Sequence, residues 1–175
     1  MDETWKWKYC MTLKFALMWA GLRGRLEGIG GFLPQLGLRF FLAYEFWLAG
    51  MEKFHGENWF GDIRHDFPFP FNLLAPEISW QMATWFELAG AVALVLGFAT
   101  RFFSLSLIVL TIVAWVAVHA SNGYNVCDNG YKLPLMYLLM FVPLFFNGAG
   151  KASLDYLMTR RVLLPPDNLA MDAQV

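Results

Sequence analysis

Long apolar stretches interrupted by few charges dominate the pattern of hydrophobic and polar positions. Between Ser79 and Val126 the only formal charges are Glu87 and Arg101. A helix needs about 20 mainly apolar residues to cross a bilayer core about 30 Å thick. Continuous runs such as AGAVALVLGF do not alternate in the way that barrel strands do. The pattern therefore predicts four transmembrane helices, at residues 36–54, 79–98, 102–120 and 133–147.

The composition agrees with a membrane protein and excludes several soluble classes. Of the 175 residues, 58% are hydrophobic and 15% are charged, and the mean hydropathy is +0.44. A soluble domain carries about 25% charged residues, because its surface must be wetted. The apolar content excludes a disordered chain, and a net charge of −1 gives no basic face for a nucleic acid. We expect an all-α membrane protein whose surroundings are the lipid bilayer.

Lysine and arginine residues outside the predicted spans indicate the orientation. The connections that would lie outside the cell carry only Arg64 and Lys132. The other basic residues lie before the first span, between the second and third, or after the fourth: Lys6, Lys8, Lys14, Arg23, Arg25, Arg101, Lys151, Arg160 and Arg161. Basic segments stay in the cytoplasm, so we expect both termini there. Cys10 and Cys127 then lie on opposite sides, which argues against a disulfide.

Two segments outside the spans are also apolar. Residues 9–22 are too short to span and contain Lys14, so we expect an interfacial helix on the cytoplasmic face. The connection at 55–78 is dense in Phe, Trp and Pro, which suits a lid over the outer end of the bundle. The predicted organisation is a cytoplasmic N-terminal segment at 1–33, a four-helix transmembrane domain at 34–156 and a cytoplasmic tail at 157–175.

Two acidic residues, Glu45 and Glu87, fall near the middle of predicted spans, and their similar depth suggests that the two carboxyl groups share one site. An acidic side chain at the bilayer centre costs about 3 kcal/mol, so it is expected to face other helices. Ala83, Gly90 and Gly97 recur every seven residues beside Glu87. Because small residues mark the places where membrane helices touch, we expect Glu87 to face a neighbouring helix.

The first span places further polar groups on two adjacent faces. Glu45, Ala49 and Glu52 share one face, and Arg39, Ala43, Gly50 and Lys53 share the other. Arg39 and Lys53 lie near opposite ends and are expected to reach toward the interfaces. Two interpretations stay open: structural hydrogen bonds between helices, or a site for protons or a quinone head group. The candidate catalytic residues are Glu45, Glu87, Arg39, Lys53 and His119.

Histidine, cysteine and acidic residues on the outer side suggest metal binding. The candidate metal ligands are His55 and His65 on the lid and Cys127 after the third span, with copper, zinc or iron as the metal. Their spacing matches no metal signature, and the alternative is a set of interfacial polar residues with His119 capping the third helix. The sequence contains no Ser/His/Asp, phosphate-loop or dinucleotide motif. Enzymatic turnover by this chain alone would need a bound cofactor.

Several motifs resemble the DoxX family. They are LGLRFFLAYEF and AGMEKF in the first span, WFELAGAVALVLGFATRF, NGYKLPLMYLLM and NGAGKASLDYL, and together they cover residues 36–156. The resemblance implies a four-helix, multi-pass protein of the bacterial inner membrane. Relatives in that family include a subunit of thiosulfate:quinone oxidoreductase and partners of oxidative-stress enzymes. A redox role with quinone as cofactor and an oxidoreductase as partner is therefore implied.

The aromatic lid and the motif VAVHASNGY are similar to the HvfX-type members of that family. Such members are encoded beside iron enzymes that modify cysteine-containing metal-binding peptides, which implies these enzymes and a small metal-binding peptide as partners, with copper or iron as the metal. The main hypothesis is a subunit that passes electrons or protons between the quinone pool and a partner protein or peptide thiol. The alternatives are a non-catalytic membrane scaffold or exporter for a copper-binding modified peptide, and an anchor for a soluble oxidoreductase.

Overall fold

The computed structural model describes residues 17–26, 28, 30 and 32–163, with side chains described up to residue 160. The chain divides into two compact units, Met1–Pro34 and Gln35–Val175. In the first unit, residues 17–26 are helical and exposed. Most of the predicted interfacial helix, at 9–16, lies outside the described residues. The described residues form helices and turns without β-strands, which confirms the predicted all-α class.

Five helices carry the architecture from residue 33 onward. They are α1 (Leu33–His55), α2 (Pro76–Leu96), α3 (Thr100–Ala114), α4 (Lys132–Asn147) and α5 (Leu154–Leu163). Helix α3 continues through a π-helical segment and a 3-10 turn, so that Thr100–Asn122 is one stretch of 23 residues.

Two of these stretches are long and apolar enough to cross a membrane, Pro76–Leu96 and Thr100–Asn122. Helix α4 is apolar but has 16 residues. Helix α1 has 23 residues but carries Arg39, Glu45, Glu52 and Lys53. A bundle of four spans therefore stays a prediction.

Helices α1 to α4 share one apolar core. Its buried members come from all four helices: Leu42, Ala43, Phe46, Ala91, Leu94, Leu107, Phe141 and Leu144. Large apolar side chains also cover the outside, among them Phe41, Leu96 and Leu139. Exposed apolar cover on this scale is what a lipid environment requires and is unusual for a protein in water.

Close approach of the helices depends on two glycines. A Cβ atom on Gly50 of α1 would lie 2.8 Å from Leu88 Cδ2 of α2. A Cβ atom on Gly90 of α2 would lie 3.0 Å from Leu107 Cδ1 of α3. These glycines let the backbone of α2 approach the backbones of α1 and α3 closely.

The turn between α2 and α3 is held by residues far along the chain. Gly97 ends α2 in the left-handed region, with φ 66°. The Asp155 carboxylate then accepts hydrogen bonds from the backbone N–H groups of Ala99 at 2.7 Å and Thr100 at 2.9 Å. These two N–H groups lack partners within α3, so Asp155 caps that helix from α5.

The lid, predicted at 55–78, runs from residue 56 to residue 75 in the structure, since α1 includes His55 and α2 begins at Pro76; it packs against the helical core. They contain two short 3-10 turns and a cis peptide bond between Phe69 and Pro70. Phe60 and Phe67 of the lid are buried in a second apolar cluster with Trp80 and Ala83 of α2. As the aromatic composition predicted, the lid covers part of the bundle.

Candidate functional site

An ion pair joins α1 and α2 inside the helical domain. Lys53 Nζ lies 3.0 Å from Glu87 Oε1 and 2.9 Å from Glu87 Oε2. It also donates to the carbonyl oxygen of Ala49 at 3.3 Å. The two charged side chains are 17% and 9% exposed. Removal of one partner from such a pair leaves an uncompensated buried charge, at a cost of about 3–5 kcal/mol.

The position of the pair follows from the small residues around it. Glu87 is buried at a helix contact, as the neighbouring Ala83 and Gly90 predicted. Gly50 lies one turn before Lys53, and a Cβ atom there would be 3.2 Å from Glu87 Cβ. The two helix backbones are thus near enough for the long lysine side chain to reach the carboxylate.

A cavity of about 760 Å³ adjoins the ion pair. The lid, α2 and α3 supply most of its walls, with Phe60 and Phe67 among the aromatic residues. The ring centroids of Phe60 and Trp80 lie 5.0 Å apart in an edge-to-face arrangement, which packs the lid against α2 beside the cavity. A volume of this size falls within the range of about 300–1,000 Å³ typical of small-molecule sites.

Ser79 gives the cavity a buried polar atom without a partner. Its residue is 9% exposed, and its Oγ makes no hydrogen bond within the described part of the chain. Buried hydroxyl groups are nearly always hydrogen-bonded, so an unpaired one in a cavity wall points to a bound polar group. Sequence analysis did not single out Ser79, although its spacing of four residues from Ala83 and of eight from Glu87 puts it on the same face of α2.

His119 lines the same cavity and ends the π-helical segment Trp115–His119. Its Nδ1 lies 2.7 Å from the carbonyl oxygen of Asn129. A carbonyl oxygen only accepts, so Nδ1 carries the proton, and in that tautomer Nε2 is the acceptor. Single π-helical turns inside α-helices are frequent at functional sites. Asn129, which sequence analysis did not single out, orients this ring.

Glu45 does not share the site with Glu87, which corrects the expectation of paired carboxyl groups. Its Oε2 accepts a hydrogen bond from Tyr137 Oη at 2.9 Å and so joins α1 to α4. Glu45 is not among the residues that line the cavity. Positions 45 and 53 differ by about 80° around the helix, so they face different neighbours.

Arg39 lies away from the ion pair, and its side chain is buried among backbone carbonyl groups at the end of α2. The residue is 1% exposed. Its guanidinium donates to four backbone carbonyl oxygens, those of Leu94 at 2.7 Å, Val95 at 2.7 Å, Ala149 at 3.0 Å and Ala152 at 2.7 Å. Arg39 thereby satisfies carbonyls in the last turn of α2 and joins that turn to the loop after α4.

The candidate metal ligands do not come together. No group of three or more His, Cys, Asp or Glu residues suited to a metal ion occurs among the residues that the structure describes. His55 Nδ1 lies 3.0 Å from the carbonyl oxygen of Met51. Cys127 is a free, exposed thiol in the turn after α3. His65 lies in the first 3-10 turn of the lid.

Comparison with known proteins gives one family and two relatives. The DoxX family model matches residues 34–120. An uncharacterized protein of Haemophilus influenzae is 51% identical over 136 residues, which cover 78% of this chain and 90% of that protein. A second uncharacterized protein of the same organism is 32% identical over 129 residues, which cover 67% of this chain and 85% of that protein. No solved structure gives a significant match.

Proposed function

This chain belongs to the DoxX family of membrane proteins, and from that premise we propose that it is a redox or quinone-linked subunit whose cavity holds a quinone head group. The observation that carries the proposal is the Lys53–Glu87 ion pair, which lies in the wall of a mainly apolar cavity beneath the aromatic lid. Ionisable groups inside a membrane domain mark functional sites by default, because an insertion cost opposes their presence.

The residues around the cavity fit a quinone head group. A bound quinone supplies reversible transfer of electrons and protons. Lys53 is placed to donate a hydrogen bond to a quinone carbonyl oxygen in place of its long contact with Ala49. Glu87 compensates the lysine charge, while Glu52 adds a second carboxylate to the cavity wall. His119 Nε2 is an acceptor for a hydroxyl hydrogen, and the unpaired Oγ of Ser79 needs a polar partner. Phe60 and Phe67 offer aromatic edges and faces to a planar ring.

Electron exchange in this proposal involves a partner protein. By family resemblance that partner is an oxidoreductase, or the thiol of a small metal-binding peptide that iron enzymes modify. The same proposal places the chain in the bacterial inner membrane, with four spans and both termini in the cytoplasm. The basic residues at the predicted cytoplasmic ends support this orientation. Helices α1 and α4 share an apolar core with the two apolar spans, which supports four spans.

Quinone content of the purified protein tests the proposal. The wild-type protein, Lys53→Gln and the control Glu45→Gln are to be isolated in detergent, and bound quinone is to be extracted and quantified by mass spectrometry. Loss of the lysine donor is expected to lower quinone occupancy about tenfold, the effect of a charged hydrogen bond. Glu45→Gln should retain wild-type occupancy, because Glu45 lies outside the cavity wall.

A second variant separates loss of binding from loss of folding. Lys53→Met combined with Glu87→Leu removes both charges together, and apolar replacement of a whole buried pair is often neutral or stabilising. This double variant should stay monodisperse and lose quinone. If it keeps wild-type quinone content, or if the wild-type protein binds no quinone, the proposal is wrong.

The competing hypothesis is a non-catalytic scaffold or exporter for a copper-binding modified peptide. It predicts a protein free of quinone that still retains the peptide. Purification with the peptide present distinguishes the two: a quinone-free protein that captures the peptide replaces the redox proposal, and quinone that depends on Lys53 supports it.

A further inference from the structure

The cavity extends beyond the space that a head group needs. Along α3 its wall includes Phe102, Leu105, Ser106 and Val109, at the spacing of one helix face. His119, at the other end of the wall, lies 17 positions after Phe102 (119 − 102), which corresponds to about 25 Å of helix. The cavity is therefore a long groove along α3.

Polar and apolar groups are segregated along this groove. Gly90 meets Leu107, and Glu87 lies one turn nearer the lid on α2, so the ion pair lies near the level of Leu110. Ser79 and His119 line the part between that level and the lid. The wall on the other side of that level, at 102–109, is apolar, since the Ser106 hydroxyl donates to the carbonyl oxygen of Phe102 at 3.1 Å.

The apolar half of the groove is open on its flank, and aromatic rings pack together at the lid. Phe102 is 58% exposed, and Leu105, one turn along α3, is also exposed, so the apolar half reaches the outer surface of the helices. At the lid, the rings of Trp59, Phe60 and Trp80 lie in edge-to-face contact. A ligand therefore has a path from the bilayer that does not require the lid to open.

We infer that the cavity takes a long-tailed polyprenyl quinone directly from the bilayer. Its ring lies beneath the lid at Lys53 and Glu87, and its tail runs along the 102–109 face of α3, away from the lid. This inference rests on the proposed quinone function and adds the chain length, the orientation and the route of entry. The polar, partly charged half of the cavity matches the quinone ring, and the open apolar half matches the tail. This match supports one single-chain amphiphile as the occupant.

Photocrosslinking in nanodiscs tests the orientation. One probe is a polyprenyl quinone with an azide on the ring, and the other carries a diazirine at the end of the tail. The ring probe should label the lid, at Phe60 or Phe67, and the tail probe should label residues 102–109. Tail label on the lid, or tail label spread evenly over the exposed helix faces, would overturn the inference.

Two tryptophan variants of α3 test the tail groove. Val109→Trp fills the groove, whereas Ile112→Trp, one turn away and similarly exposed, lies outside the cavity wall. Val109→Trp is expected to weaken binding of the long-tailed quinone about tenfold through overpacking, while Ile112→Trp leaves it unchanged within about twofold. A quinone analogue without a tail should bind both variants as it binds the wild type. Equal affinity of both variants for the long-tailed quinone contradicts the tail groove.

Failure of this inference is distinct from failure of the proposed function. Ring label beneath the lid that depends on Lys53, without tail label at 102–109, removes the tail groove and leaves the quinone site. Absence of ring label beneath the lid removes both. Displacement of either probe by a two-chain phospholipid, but not by unlabelled quinone, assigns the groove to bulk lipid and overturns the inference.

Discussion

Arg39 illustrates how one buried side chain can organise distant parts of a membrane domain. Its guanidinium bonds to the end of α2 and to two carbonyl groups more than 100 residues away. The five N–H groups of an arginine form a fixed fork, which suits several carbonyl oxygens at once. These contacts support a structural assignment for Arg39.

Replacement of Arg39 tests this assignment. Arg39→Leu leaves buried carbonyl oxygens unpaired, and each unsatisfied group costs about 1–3 kcal/mol. The thermal midpoint of the detergent-solubilised protein should fall markedly in a fluorescence melt, while Lys151→Gln, at an exposed lysine, should leave it unchanged. Quinone bound per folded molecule should stay at the wild-type value. A stable Arg39→Leu protein without quinone would restore the catalytic role that sequence analysis assigned to Arg39.

The hydrogen bond between Glu45 and Tyr137 leads to a second prediction. Tyr137→Phe removes the donor and keeps the ring, which packs 6.0 Å from Phe46 between ring centroids. Hydrogen bonds between membrane helices contribute about 0.6–2 kcal/mol, so a loss of stability in that range is expected. The quinone content of Tyr137→Phe should equal that of the wild type. A fall in quinone content without a fall in stability would place Glu45 in the site after all.

At the scale of elements, the spacing between α1 and α2 decides whether the ion pair forms. Gly50→Ala places a methyl group against Leu88, and overpacking of this kind costs about 1–3 kcal/mol. Gly37 is a matched control on the same helix, since a Cβ atom there meets nothing within 4 Å. Gly37→Ala should be neutral or stabilising by up to about 1 kcal/mol.

Chemical denaturation of the two glycine variants measures this difference. Gly50→Ala should also bind less quinone, because the added methyl group lies beside Glu87 Cβ and displaces the ion pair. Equal stability of the two alanine variants would show that helix spacing at Gly50 does not control the site.

At the scale of the whole molecule, the predicted orientation places Cys127 on the side of the inner membrane opposite the cytoplasm. Cys127 is exposed, so a membrane-impermeant maleimide should label it in intact spheroplasts of a Cys10→Ser strain. The control is Lys151→Cys in a protein that lacks both native cysteines. Because position 151 is predicted to be cytoplasmic, this control should be labelled only after permeabilisation. The reverse pattern would invert the proposed topology.

Sequence patterns predicted the elements more completely than the site. The spans predicted at 79–98 and 102–120 overlap Pro76–Leu96 and Thr100–Asn122, because the length and composition of an apolar run are local properties. The lid and the burial of Glu87 were also predicted, from aromatic content and from the small residues nearby. The depth of Glu45 and Glu87 along their helices suggested one shared site, but depth gives no information about direction around the helix axis.

The amino-acid sequence by itself determined that this chain is helical, rich in apolar surface and provided with buried charges, since each property depends on residues close together in the chain. Only the tertiary structure decided which charges meet. Lys53 and Glu87 are 34 residues apart, and Glu45 and Tyr137 are 92 residues apart. The choice between partners depends on how far each helix is rotated and how closely the glycines let it approach, and these quantities follow from packing of the whole domain.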